Sequence, residues 1–184
     1  MLPPDFCDNV FRKDRIERGG GVLIAVHNSI VASEELSLDS NCEVKWIKIE
    51  TRNSSPLYLG NYYRQPNSDT TPVLELANSI EMLTNQSCLP NILLTGDFNL
   101  PDIRWPDSMV LPSPQYGSEI NNLLFSITQD NNLIQCVADP TRGSNILDLV
   151  LSTNDSVIKS CEVVPGISDH EAVLTSVDLK LKNN

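Results

Sequence analysis

Long apolar runs are missing from this chain. None approaches the length of a bilayer span, so no segment reads as a membrane-crossing helix. The opening residues, Met1-Leu2-Pro3-Pro4-Asp5, lack the basic-then-apolar order of a signal peptide. Paired cysteines are missing too. Cys7, Cys42, Cys88, Cys136 and Cys161 lie far apart with no C-x-x-C spacing. That scatter and the odd count argue against a disulfide framework and a structural zinc site, and they read as reduced, mostly buried intracellular thiols. Cationic charge is scarce: 13 Lys and Arg against 24 Asp and Glu leave a net charge of −11. A protein that grips phosphates by charge alone shows a basic face, so this chain is not a simple nucleic-acid binder. A nuclease remains open, because carboxylates that hold a cation lower the net charge while the cation restores attraction locally. This domain alone is expected to bind nucleic acid weakly.

What is present is ordinary globular material. The chain has 184 residues, 40% hydrophobic and 20% charged, which suits one packed domain over residues 1–184. There is no internal repeat, low-complexity tract or linker. The N-x-S triplets at Asn53, Asn85 and Asn154 read as chance in a chain rich in Asn and Ser.

Residues 11–21, FRKDRIERGGG, form a basic, glycine-ended lead-in. Val22 to His27 reads as a buried strand, Glu43 to Glu50 as a strand apolar on much of both faces, and Leu57 to Tyr63 as the next. Three consecutive strands suggest a meander. Thr71-Pro72 opens a helix, with Thr71 as candidate N-cap and Val73, Leu76, Ala77, Ile80 and Leu83 at helical spacing. Asn91 to Thr95 is a strand. Residues 100–117 hold four prolines and read as a long irregular connection. Ser118 is a candidate cap for a second helix with Ile120, Leu123, Leu124 and Ile127 on one face, and strands are predicted near 132–137, 146–152, 160–164 and 171–179. The pattern indicates an α/β sandwich with mostly antiparallel pairing.

Two motifs concentrate the chemistry. Ile92-Leu93-Leu94 ends in Gly96-Asp97-Phe98-Asn99, and Ser168-Asp169-His170 precedes the apolar Ala172-Val173-Leu174. Together they offer two carboxylates, an amide and an imidazole at strand ends, a set suited to a divalent metal, a phosphate and an activated water. Gly96 permits a sharp exit from the strand. Asp97 and Asn99, two apart, point to one side of an extended chain, and Phe98 points into the core. An ordinary turn with an Asx cap would also explain the tetrapeptide. Of the two histidines, His27 closes an apolar strand and reads as structural, whereas His170 lies between a Gly-Ile-Ser turn and an apolar strand, and histidine is the side-chain type suited to changing charge in a reaction. Asp148 lies inside the apolar run Ile146-Leu147-Asp148-Leu149-Val150, where an unpaired charge is costly. Its partner is His170, or alternatively Arg142 or backbone donors. A carboxylate that holds the imidazole fixes its tautomer and keeps it cationic for a phosphoryl oxygen.

In this order, Tyr62-Tyr63-Arg64-Gln65-Pro66, Gly96-Asp97-Phe98-Asn99, Ile146-Leu147-Asp148-Leu149 and Ser168-Asp169-His170 resemble the motifs of the endonuclease/exonuclease/phosphatase superfamily. The nearest likeness is to the apurinic-endonuclease-like domain of non-LTR, LINE-type retrotransposons. Phe11-Arg12-Lys13-Asp14-Arg15, then Arg18-Gly19-Gly20-Gly21-Val22, and Asp102-Ile103-Arg104-Trp105 are similar to that group as well. The resemblance covers nearly the whole chain. It implies a four-layer α/β sandwich, two mostly antiparallel sheets flanked by helices, and Mg²⁺-dependent phosphodiester cleavage, with Mn²⁺ as a substitute. By motif, Asp97 would orient or deprotonate the attacking water, and Asn99 would assist it and bind phosphate. His170, held by Asp148, would stabilise the pentavalent phosphate. Asp169 and Asp97 would serve the metal, and Tyr63 would contact the phosphate or leaving group. Arg64 would add a phosphate contact or sit as a solvated surface arginine.

Family members also begin with a strand ending in Asn and a segment with a metal-binding Glu, placed before the region equivalent to Phe11. Glu17, Glu34 and Glu35 are in the wrong context to replace it, so the resemblance reads the chain as N-terminally truncated. Three functions follow. The first is a DNA endonuclease that nicks target DNA for a retrotransposon, a nuclear monomer with a reverse transcriptase on the fuller protein. The second is a catalytically impaired remnant of that domain. The third is a phosphatase or phosphodiesterase of the same superfamily.

Overall fold

Burial alternates along the strands in two sets, and the two sets define two cores. In the computed structural model all residues are described except 1, 2, 7, 16–19, 53, 88, 113, 114, 116, 167 and 184. Cys7, Cys88, Asn53, Glu17 and the Arg18-Gly19 part of the lead-in therefore lie outside the described residues. In chain order the elements are β1 (Val10–Asp14), β2 (Gly21–Ala25), β3 (Ala32–Glu34), β4 (Glu43–Ile49), β5 (Leu57–Tyr63), α1 (Thr71–Thr84) and β6 (Asn91–Asp97). Then come β7 (Ile103–Arg104), β8 (Met109–Val110), α2 (Gly117–Asp130), β9 (Ile134–Gln135), β10 (Asp148–Ser152), β11 (Ile158–Val164) and β12 (Ala172–Val177).

A six-stranded sheet runs β3-β4-β5-β6-β10-β9 through the middle. Every pair in it is antiparallel except β5–β6, which is parallel and bridged by α1. A parallel pair needs such a crossover, since a tight hairpin can only join antiparallel neighbours. Tyr58, Tyr62, Ile92, Leu94, Leu149 and Leu151 face one side, where Val73, Leu76, Ile80 and Leu83 of α1 and Ile120, Leu124 and Ile127 of α2 cover them. Ile47, Ile49, Leu57, Leu93 and Val150 face the other side and meet Ile24 and Val26, with Phe11, Ile158, Val163 and Val173 packed around them. Apart from Val26, which directly follows β2, those residues come from two antiparallel ribbons, β1–β2 and β11–β12. The architecture is thus an α/β sandwich of helices, a central sheet and an outer layer of ribbons.

The expected strand at 22–27 does not continue a meander. β2 pairs with β1, and the neighbour of β4 is the short β3. β1 escaped sequence reading because Arg12, Lys13 and Asp14 break its apolar pattern; an edge ribbon with one solvated side accepts them. The α1 cap also differs. The Asp69 carboxylate, not a threonine hydroxyl, takes the Thr71 N–H at 3.0 Å. Within 100–117 the chain makes a small β7–β8 ribbon, not a wholly irregular loop. No helix among the described residues is long and apolar enough to cross a membrane.

Candidate active site

β6 and β10 run antiparallel in a register that sets Asp97 directly opposite Asp148. β5 and β6 run parallel, so Tyr63 comes level with Asp97 and both chains leave the sheet at the same end. Gly96 must be glycine there. Its φ of 139° suits no other residue, and a Cβ would collide with the Tyr62 carbonyl oxygen.

Beyond Asp97 the chain does not stay extended. Asn99 adopts φ 50°, in the left-handed region, and folds back. Its backbone N–H donates to Asp97 Oδ1 at 3.0 Å and its side-chain Nδ2 donates to Asp97 Oδ2 at 2.8 Å. The turn therefore grips both oxygens of the carboxylate. The second Nδ2 hydrogen goes to the Arg64 carbonyl at 2.9 Å. Both amide hydrogens are committed, so the phosphate contact expected of Asn99 has no donor left in this conformation. Phe98 lies under the turn with its ring centroid 4.9 Å from that of Tyr62, inside the core as its alternation predicts.

Asp148 meets His170: Nδ1 to Oδ2 is 2.8 Å. Arg142, the alternative partner, instead pairs with Asp169 at 2.5 Å. Two features hold this dyad, and sequence reading missed both. The buried Thr141 hydroxyl accepts the N–H groups of Leu147 and Asp148, each at 3.0 Å, and its carbonyl accepts Glu171 N–H at 2.7 Å. A Cβ on Gly166 would strike the His170 carbonyl, so only glycine lets that turn close. Thr141 carries no distinctive spacing; a threonine after a proline reads as any loop residue.

Asp97, Asp148 and His170 each bring a ligand atom within 4.8 Å of the others, a group able to hold a metal ion. Burial of Asp97 is the largest influence on its carboxyl, and the Asp148 charge adds to it. Together they push its pKa up to about 6, against the pull of His170 and the Asn99 hydrogen bonds. Asp169, expected as a metal ligand, is outside that trio; its side chain is 66% exposed and turned to Arg142.

Tyr63 sits at the margin. The Arg15 guanidinium lies 5.4 Å from its ring centroid and is itself held by Glu43, Nε to Oε1 at 2.8 Å. Gln65 donates to the same Glu43 oxygen at 2.8 Å. Arg15 was not anticipated, although the basic lead-in was the signal for it. Arg64 is neither on the surface nor open to a phosphate. It is 0% exposed, with Nη1 donating to the Asn99 carbonyl at 3.2 Å and Nη2 to the Ser68 carbonyl at 2.6 Å. Glu34 pairs with the buried Lys45 at 3.0 Å, and Glu35 accepts from Ser37 at 2.6 Å, so neither joins the site. His27 packs edge-on against Phe6 at 5.4 Å, a structural contact.

This fold is that of the endonuclease/exonuclease/phosphatase superfamily. The sequence profile described as endonuclease-reverse transcriptase matches residues 57–174, more than half of the chain, and the chain belongs to that family. Among solved structures it is similar in fold to the catalytic domain of human nocturnin with bound sulfate (TM-score 0.52, 13% identity, 86% of this chain and 63% of that one). It is also similar to a functionally unknown conserved protein of Enterococcus faecalis V583 (TM-score 0.50, 15% identity, 94% and 77%). An endonuclease/exonuclease/phosphatase family protein of Leptotrichia buccalis C-1013-b matches with a TM-score of 0.49 at 14% identity, over 73% of this chain and 52% of that one. The chain thus spans 52% to 77% of the length of these structures. None of the curated proteins matches it.

Proposed function

We propose that this domain is a divalent-cation-dependent endonuclease that cleaves a phosphodiester in DNA, acting in the nucleus beside a reverse transcriptase on the same polypeptide. The observation that carries the reading is the meeting of Asp97, Asp148 and His170 within 4.8 Å at one end of the sheet. The donor set suits the cation: Mg²⁺ takes one or two carboxylates and fills its remaining positions with water and substrate phosphate, and Mn²⁺ accepts the imidazole as well. Asp97 and Asp148 would hold it, and Asp169 would join only by exchanging Arg142 for the ion. When bound, the cation supplies charge neutralisation at the phosphate.

The chain's own residues do the rest. Asp97, held on both oxygens by Asn99, orients the attacking water and receives its proton. His170 gives Nδ1 to Asp148, which presents Nε2 as a donor to a phosphoryl oxygen as charge builds there. Tyr63, level with Asp97, contacts the phosphate or the leaving group. The domain works as a monomer in this reading.

A catalytically impaired form is the second reading, favoured by the donor set itself: among the described residues only two carboxylates face the imidazole. One assay decides between them. Supercoiled plasmid is incubated with the purified chain in Mg²⁺ or EDTA, beside His170→Ala. Mg²⁺-dependent nicking that the substitution abolishes supports the endonuclease. A folded chain that nicks no faster than the variant overturns it in favour of the impaired form.

A further inference from the structure

Arg64 has no solvent exposure and lies directly beneath the turn that carries Asp97 and Asn99. Two hydrogen bonds through its backbone tie it there. Its backbone N–H donates to the Asp97 carbonyl at 2.9 Å, and its own carbonyl accepts Asn99 Nδ2 at 2.9 Å. Its guanidinium spans two further carbonyls, Asn99 at 3.2 Å and Ser68 at 2.6 Å, so it clamps the loop after β5 to the loop after β6. Only a planar fork can reach two carbonyls at fixed separation; an ammonium is a point donor on a flexible stem. Asn99 pays for this conformation, since a non-glycine residue at φ 50° is disfavoured. The bond from Arg64 to its carbonyl offsets that cost. If the bond is lost, Asn99 relaxes, and its amide no longer reaches Asp97 Oδ2.

Deepening the endonuclease reading above, and resting on it for the activity arm alone, we propose that Arg64 is a positioning residue. From inside the core it locks Asn99 in the left-handed conformation and so aims the Asp97 carboxylate. It touches neither substrate nor cation. Its effect on the reaction passes entirely through Asn99.

The test compares the chain with Arg64→Lys and Arg64→Gln. Glutamine buries no charge, so it keeps the question answerable if lysine prevents folding. The first readout is hydrogen exchange of the Asn99 side-chain amide by NMR, with the β5 and β6 backbone amides as the measure of an intact sheet. The second is plasmid nicking, resolved into kcat and KM. In the parent chain the Asn99 amide should exchange at least about tenfold more slowly than exposed asparagine amides, as its two bonds require. In both variants that protection should vanish while β5 and β6 stay protected. Nicking kcat should fall about 30- to 100-fold, with KM changed less than about threefold, because the loss is one of alignment. A folded variant that keeps Asn99 protection overturns the proposal, as does one that loses kcat and KM together. If the parent chain does not nick, the endonuclease reading fails, while the exchange data still decide whether Arg64 positions Asn99.

Discussion

Asp97 is kept where a carboxylate is uncomfortable. Its ordinary pKa of 3.8 rises to about 6 because the fold buries it and sets Asp148 across from it. A raised carboxyl pKa means that the folded state disfavours the ionised form. The cost is fully present above about pH 6 and is relieved as pH falls toward 4. Asp97→Asn should abolish nicking. It loses one of the two Asn99 hydrogen bonds at any pH but removes the cost of ionisation. Its stability relative to the parent should therefore be better at pH 7.5 than at pH 4 by about 1 kcal/mol, after discounting for partial exposure. Thermal melts of both chains in EDTA at pH 7.5 and pH 4 check this: a relative stability that does not change with pH would contradict it. His170→Ala removes charge stabilisation from the transition state and should slow nicking by about 10²- to 10³-fold, a loss of ~3–4 kcal/mol. Its melting temperature should move much less, and single-turnover rates beside a melt separate the two effects.

At the scale of elements, the site is a product of strand register, and this explains what the sequence could tell. Asp97, Phe98, Asp148 and His170 stand in short motifs whose alternation and apolar neighbours can be read directly. The Asp148–His170 contact follows from the cost of a lone carboxylate in an apolar strand. Arg64 could not be placed this way, because an arginine after a strand is usually solvated, and only the β5–β6 pairing puts it under Asn99. Thr141 and Arg15 were hidden for the same reason: their partners are close in space and remote in sequence. The outer ribbons were partly missed because their apolar pattern is diluted by charge. Two element-level expectations follow. Gly96→Ala should break the β5–β6 contact at Tyr62 and lower stability by several kcal/mol, as chemical denaturation would show; a neutral result would refute the close approach. Phe98→Leu should cost about 1–1.5 kcal/mol by loosening the stack on Tyr62, while a folded variant keeps nearly full nicking rate.

The whole molecule carries a net charge of −11. It should bind DNA weakly in EDTA and measurably better in Ca²⁺, which supports binding without cleavage. Fluorescence anisotropy with a short duplex tests this, and tight binding in EDTA would contradict it. The same architecture has a consequence in time. The parallel β5–β6 pair cannot form as a hairpin; it waits for α1 to cross over and for a loop to close. His170, 22 residues further along the chain, must then return to Asp148 on an inner strand. During synthesis Asp97 and Asp148 stay without their imidazole until residue 170 has left the ribosome. A copy that stops short of residue 170 therefore never assembles the trio.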